Sequence, residues 1–228
     1  MGNKRIDRVS AIVFDFDGTI IRLFENYNLE KTMQQMKSSL SEIGLPLENI
    51  IDVFDVYEKI IPIKNIKSRD KALSIANTVL TAAEEEAVAS GIIIDGAIEV
   101  LQILSEMRLP LGVVTNNSKE CVRTFFELYS NNSLFVPVVG RVEESPELMK
   151  PNIWPLQKMS IILDCDIERV LFVGDSLRDF ECAKKAQCYF CAMAPTIKKE
   201  SRMLKHCDRK NIVHNFYELL DYLNSEDE

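Results

Sequence analysis

Apolar positions along the chain fall into two alternating patterns. Short continuous runs at residues 11–14, 111–115, 135–139, 169–173 and 188–193 are rich in Val, Ile, Leu and Phe. Runs of that length and kind suit strands buried on both faces of a sheet. Between most of them, residues 97–107, 119–129, 154–163 and 178–186 carry apolar side chains at helical spacing. Strand alternating with helix predicts an α/β fold, a doubly wound parallel sheet. A weak strand at 212–213 and a helix at 216–223 follow, ahead of an acidic tail at 225–228.

One interval departs from this alternation. From 21 to 94 the chain reads almost wholly as helix, with apolar residues near a 3.6-residue period over 29–43, 47–60 and 70–89. Gly44-Leu45-Pro46 stops the first of these helices. Residues 60–69, with Pro62, separate the second from the third. So long a segment is no ordinary strand-to-helix connection. The pattern predicts an inserted all-helical domain at 21–94, carried by a core made of 1–20 and 95–228.

The polar residues that interrupt the apolar runs gather at their ends. The first run ends in Asp15-Phe16-Asp17-Gly18-Thr19. Residues two apart on a strand share a side, so Asp15 and Asp17 can face one site, and Gly18 lets the backbone turn away. The second run ends at Thr115, Asn116 and Asn117, where a hydroxyl and the free N–H groups of a starting helix suit a phosphate. Asp175 ends the fourth run, Asp179 lies one helical turn later, and Lys150 precedes Pro151 at a predicted helix start. Parallel sheets bind ligands at the carboxyl ends of their strands. So many carboxylates at one edge call for a hard cation with oxygen ligands, and magnesium fits that description. Each residue also has an ordinary reading: Thr115 and Asn117 as helix caps, Asp179 as a charge at a helix N-terminus, Lys150 as a solvated surface group. Their shared edge and their order favour the joint reading.

Composition narrows the partners. The 228 residues hold 27 Lys and Arg against 35 Asp and Glu, a net charge of −8. That balance argues against nucleic acids and anionic membrane surfaces, which call for a basic face. No run approaches the ~20 apolar residues of a membrane helix, and the opening MGNKRIDRVS has no apolar export segment. Six scattered cysteines read as the reduced thiols of a cytoplasmic protein. Cys188 and Cys191 have a C-x-x-C spacing, but on a strand they point to opposite faces. Lys64, Lys67 and Arg69 concentrate positive charge in a predicted loop of the helical insertion, which reads equally as a place to meet an anionic substrate tail or as a solvated basic loop.

The stretches DFDGT (15–19), VVTNN (113–117), KP (150–151) and VGDSLRDF (173–180) resemble the four ordered motifs of the haloacid dehalogenase-like superfamily of phosphohydrolases. The helical insertion after the first motif resembles the cap of the phosphoglycolate phosphatase and β-phosphoglucomutase branch. The resemblance implies a Rossmann-like core and a magnesium-dependent phosphatase. Such an enzyme hydrolyses a small organic phosphate monoester through an aspartyl phosphate. By the same resemblance Asp15 is the nucleophile. Magnesium is held by the Asp15 carboxylate, the Asp17 main-chain carbonyl and Asp175, with Asp179 orienting Lys150 or a metal-bound water behind them. Lys150, Thr115 and the Asn116 backbone hold the transferring phosphoryl group. Asp17 protonates the leaving oxygen and then activates water. A phosphosugar mutase would share all of these motifs. A phospho-switch resembling a response-regulator receiver also joins acids, Thr and Lys at a sheet edge, but it has its phosphoacceptor on a middle strand and no helical insertion. The expected partner is a small phosphorylated metabolite, and the expected assembly a monomer or homodimer.

Overall fold

The computed structural model describes residues 4–46, 48, 50, 52–130, 134 and 136–226. Its elements begin with β1 (Ala11–Phe14), β2 (Ile21–Arg22), α1 (Leu29–Ser41), α2 (Asp55–Ile60), α3 (Ile66–Val88) and β3 (Ile92–Ile93). An alternation follows: α4 (Ala97–Glu106), β4 (Leu111–Val114), α5 (Lys119–Tyr129), β5 (Val138–Val139), α6 (Trp154–Ile162), β6 (Val170–Gly174), α7 (Leu177–Ala186) and β7 (Tyr189–Met193). The chain closes with α8 (Ile197–Met203), β8 (Ile212–Val213) and α9 (Phe216–Asn224).

Six of the strands form one parallel sheet in the order β5-β4-β1-β6-β7-β8. Alternate residues of β1 go to opposite sides, as the pleat requires. Ile12 and Phe14 join Val100, Phe125 and Leu219 from α4, α5 and α9. Ala11 and Val13 join Leu156, Met159 and Ala183 from α6 and α7. Both faces are therefore dry, which is why each strand reads as an unbroken apolar run. Cys188 and Cys191 fall into these two opposite clusters, and all six cysteines are free thiols. β1 sits between β4 and β6, the point where the winding reverses. That order sets the ends of the first, second and fourth apolar runs side by side.

Helices α1, α2 and α3 pack around an apolar cluster of their own, with Met36, Leu40, Val56, Tyr57 and Leu80 at its centre. Where the sequence predicts helix throughout, β2 and β3 instead pair as a short antiparallel ladder, Ile21 against Ile93. The helix predicted at 47–60 is confined to α2, and Leu47, Asn49 and Ile51 lie outside the described residues. The next helix starts at Ile66 rather than 70, because the Asn65 side chain caps it by accepting the Ser68 N–H at 3.0 Å. Lys67 and Arg69 consequently stand on a helix and not in a loop. Pro151 does not open a helix either. α6 begins at Trp154, with Pro155 in its first turn. Phe135 of the predicted third strand, and Asp227 and Glu228 of the tail, lie outside the described residues. Arg178 of α7 ties the sheet layer to the helical layer through Asp52 at 3.1 Å and Asp55 at 2.9 Å. Among the described residues, no helix is long and apolar enough to cross a membrane.

Candidate active site

Strand β1 stops at Phe14, although the Asp15 N–H still reaches the Val173 carbonyl at 2.8 Å. The chain then turns at Gly18 with φ +89°. A Cβ there would run into Asp175 and Lys199. Conformation and space thus both demand glycine. Because the strand has already ended, the loop rather than the pleat sets where Asp15 and Asp17 point.

Three carboxylates converge at this edge. Asp15, Asp175 and Asp179 each place an oxygen within 4.8 Å of the others. Asp179, wholly buried, accepts on Oδ2 from the Ser176 N–H (3.0 Å) and hydroxyl (2.6 Å), which caps α7. Its Oδ1 accepts from the Lys150 ammonium at 2.6 Å, and the same ammonium donates to Asp15 Oδ1 at 2.6 Å. The helix-capping role of Asp179 and its hold on Lys150 therefore coexist, one on each oxygen. Lys150 is only 5% exposed, which removes the surface-charge reading. Its backbone is fixed from both sides: the Lys150 N–H donates to Asn116 Oδ1 (3.0 Å), and Asn116 Nδ2 donates to the Lys150 carbonyl (3.1 Å).

The electrostatics follow from burial and neighbours. Burial pulls the Lys150 ammonium down, but Asp15 and Asp179 outweigh it and hold it above its usual value. Burial also pushes Asp15 and Asp175 above the usual carboxylate range. The Asp179 charge adds to this for Asp15, while the Lys199 ammonium opposes it for Asp175. Asp17 is raised to about 7 by burial, against the hydrogen bond that its Oδ1 accepts from the Leu23 N–H at 2.9 Å.

The loop after β4 is built differently from its sequence reading. Ser118, not Thr115 or Asn117, caps α5. The Thr115 hydroxyl closes a tight turn, donating to Asn117 Oδ1 (2.8 Å) and accepting from the Asn117 N–H (3.1 Å). Glu84 of α3 anchors the turn from below. It accepts from Asn117 Nδ2 and the Ser118 N–H, both at 3.0 Å, and pairs with Arg141 at 2.7 Å with both side chains fully buried. Cutting one partner of such a pair strands a charge in the interior. Arg141→Leu is expected to cost about 3–5 kcal/mol of folding stability in urea titration. A loss under about 1 kcal/mol, the size of an exposed pair, would refute the anchoring role.

The edge can hold both an anion and a cation. Among the described residues, the N–H groups of Phe16, Asp17 and Asn116 have no acceptor, so three donors are open to phosphoryl oxygens. Asp15 Oδ2, Asp175 Oδ1 and the Asp17 carbonyl likewise accept no hydrogen bond, whereas both oxygens of Asp179 are engaged. That free set is all oxygen and fits a magnesium-type ion.

Two cavities reach this edge. One of about 270 Å³ is lined by Asn116 and Lys150 with Phe54, Tyr57 and Arg178. Another of about 510 Å³ opens on Asp17 and Gly18. A larger one, about 760 Å³, lies along α3 beside Arg69, Glu143 and Glu144, and its lining includes none of these carboxylates. Lys64 and Lys67 are exposed. Glu84, Arg141 and Lys199, which bonds Asp175, escaped the sequence reading. Only Glu84 left a signal: it stands between Leu80 and Val88 on the buried stripe of α3.

The sequence profile of the haloacid dehalogenase-like hydrolases matches residues 12–193. A haloacid dehalogenase-like hydrolase domain-containing protein of Arabidopsis thaliana is 25% identical over 190 residues, 83% of this chain and 72% of its own. A phosphoglycolate phosphatase of Haemophilus influenzae is 26% identical over 190 residues, 78% of this chain and 82% of its own. The fold of a hydrolase from Pseudomonas syringae superposes with a TM-score of 0.65 at 16% identity, over 96% of this chain and 99% of that one. By the span of the matching profile and the edge it encloses, the chain is an enzyme that belongs to the haloacid dehalogenase-like hydrolase family.

Proposed function

We propose that the protein is a magnesium-dependent phosphatase that hydrolyses a small phosphate monoester through a phosphoryl group carried on Asp15. The observation that carries this reading is the buried Lys150 bridge to Asp15 and Asp179 beside three open backbone N–H groups. A phosphoryl group cradled there lies against Asp15. An Asp15 oxygen bonds to phosphorus as the bond to the leaving oxygen breaks, and Asp17 gives that oxygen a proton. Water then attacks phosphorus and passes its proton to Asp17, which releases phosphate and restores both carboxyls. Lys150 and the N–H groups of Phe16, Asp17 and Asn116 stabilise the equatorial oxygens. Thr115 adds its hydroxyl only by re-aiming it from Asn117.

Asp15, Asp175 and the Asp17 carbonyl would hold the magnesium ion, whose charge offsets the repulsion between Asp15 and phosphate. Residues 21–94 act as a cap over a core of 1–20 and 95–228, with Arg178 joining the two. The phosphoglycolate phosphatase of Haemophilus supports hydrolysis over phosphosugar transfer. The direct test is phosphate release from an aryl phosphate, present with magnesium and absent after chelation. Equal release in both states rules the reading out.

Metal binding should depend on pH. Asp15 is raised above its ordinary value and must lose its proton to bind a divalent cation. Affinity therefore rises with pH, by up to about tenfold per unit below the raised pKa for one proton released. Calorimetric titration with manganese at about pH 6 and about pH 8 measures this. A constant affinity, with no proton uptake by the buffer, contradicts the raised pKa of Asp15.

A further inference from the structure

Resting on that reading, the geometry points to a substrate whose leaving group carries a second anionic group, carboxylate or phosphate, bound by Arg22, Lys198 and Arg202. A group that protonates the leaving oxygen must touch it, so the leaving group belongs in the cavity that Asp17 lines. That cavity, about 510 Å³, is walled by Arg22, Lys198, Lys199 and Arg202 against only two carboxylates, Asp17 and Glu25. The protein as a whole carries a charge of −8, so this wall runs against the global field.

Two of the four cations are already matched, Lys199 by Asp175 and Arg22 by Glu25 at 3.2 Å. Lys198 and Arg202 make no ion pair among the described residues. They come from α8, while Arg22 comes from β2, so two separate elements bring cations to one cavity. A neutral leaving group would leave this excess positive charge unanswered. An anionic one completes it.

The cavity volume is consistent with a compact, metabolite-sized leaving group. Arg69, Lys64 and Lys67 are not needed for this role. Arg69 shares its cavity with Asp70, Glu143 and Glu144, which already balance it.

The test compares kcat/KM for glycerol 3-phosphate, which has no second anion, with 3-phosphoglycerate and propane-1,3-diyl bisphosphate. An aryl phosphate serves as reference. The wild-type enzyme should prefer one or both of the anion-bearing substrates by about tenfold or more. Which of the two is preferred tells carboxylate from phosphate. In Lys198→Ala/Arg202→Ala that preference should collapse, chiefly through KM, and in wild type it should shrink with added salt. Both residues are exposed, so the variant should fold, and circular dichroism checks that it has. Turnover of the aryl phosphate with no anion preference, or a preference that survives the double substitution, overturns the proposal and leaves the phosphatase reading standing. Failure to turn over any of the four phosphates, with magnesium present, overturns both.

Discussion

Asp15→Asn is expected to abolish phosphate release, by about 10⁴-fold or more, while leaving the protein folded. The amide keeps the shape and can still accept the Lys150 hydrogen bond at the position where Asp15 Oδ1 lies 2.6 Å from Nζ. It is not a nucleophile, and it withdraws one of the free oxygens of the cation set. Asp179 cannot take over, because it spends both oxygens on Ser176 and Lys150. Stability should move the other way. A carboxyl whose folded pKa is raised above its unfolded value weakens the fold at any pH where it is ionised in the unfolded chain. Replacing it by a neutral amide removes that penalty, together with the repulsion from Asp179 and Asp175. In chelator at neutral pH, the thermal midpoint of Asp15→Asn should match or exceed that of wild type. Loss of activity with a lowered midpoint would point to misfolding, and retained turnover would mean that Asp15 is not the nucleophile.

The elements at the centre of the molecule were legible because each obeys a single rule. β1, β4 and β6 are buried on both faces, so the sequence shows unbroken apolar runs, and the edge residues follow directly from where those runs stop. α5 was legible to its ends because an apolar stripe fills it, although its cap, Ser118, was not among those read from the sequence. Trouble begins where two rules compete. The Asn65 cap overrode the apparent break around Pro62, and the short β2–β3 ladder has too few residues to show a period at all. The site divides the same way. Asp15, Asp175 and Asp179 stand at or shortly after strand ends, where fold topology gathers them, and Lys150 joins them from the loop between β5 and α6. Arg141, buried on the loop after β5, and Lys199, on α8, come from outside the strand ends, and nothing in their neighbours' spacing marks them. Thr115 and Asn117 show a further limit: the residues were identified, but their hydrogen bonds to one another depend on Glu84, more than thirty positions away.

Asp17→Asn is expected to lose about 10²–10⁴-fold in turnover of an alkyl phosphate, the range general acid–base catalysis supplies. One oxygen of Asp17 is pinned by the Leu23 N–H at 2.9 Å, and the other accepts no hydrogen bond among the described residues, which gives the proton carrier a fixed aim and a free hand. Burial raises its pKa to about 7, so near neutrality a large fraction is protonated and ready to donate. The sign follows: donation fails as pH rises through that value, so kcat on the alkyl ester should fall on the alkaline side, and this limb should be missing from Asp17→Asn. An activated aryl phosphate needs no proton on its leaving oxygen, so its first step should survive the substitution. The second step still needs a base to take the proton from water. Phosphoenzyme on Asp15 should therefore accumulate in Asp17→Asn given the aryl substrate, with a burst of phenol equal to the enzyme and a trapped acyl phosphate after acid quench. If both substrates suffer alike, the alkaline limb persists and no phosphoenzyme appears, Asp17 serves the site through its carbonyl and the Leu23 bond alone, and the proton must travel by another route.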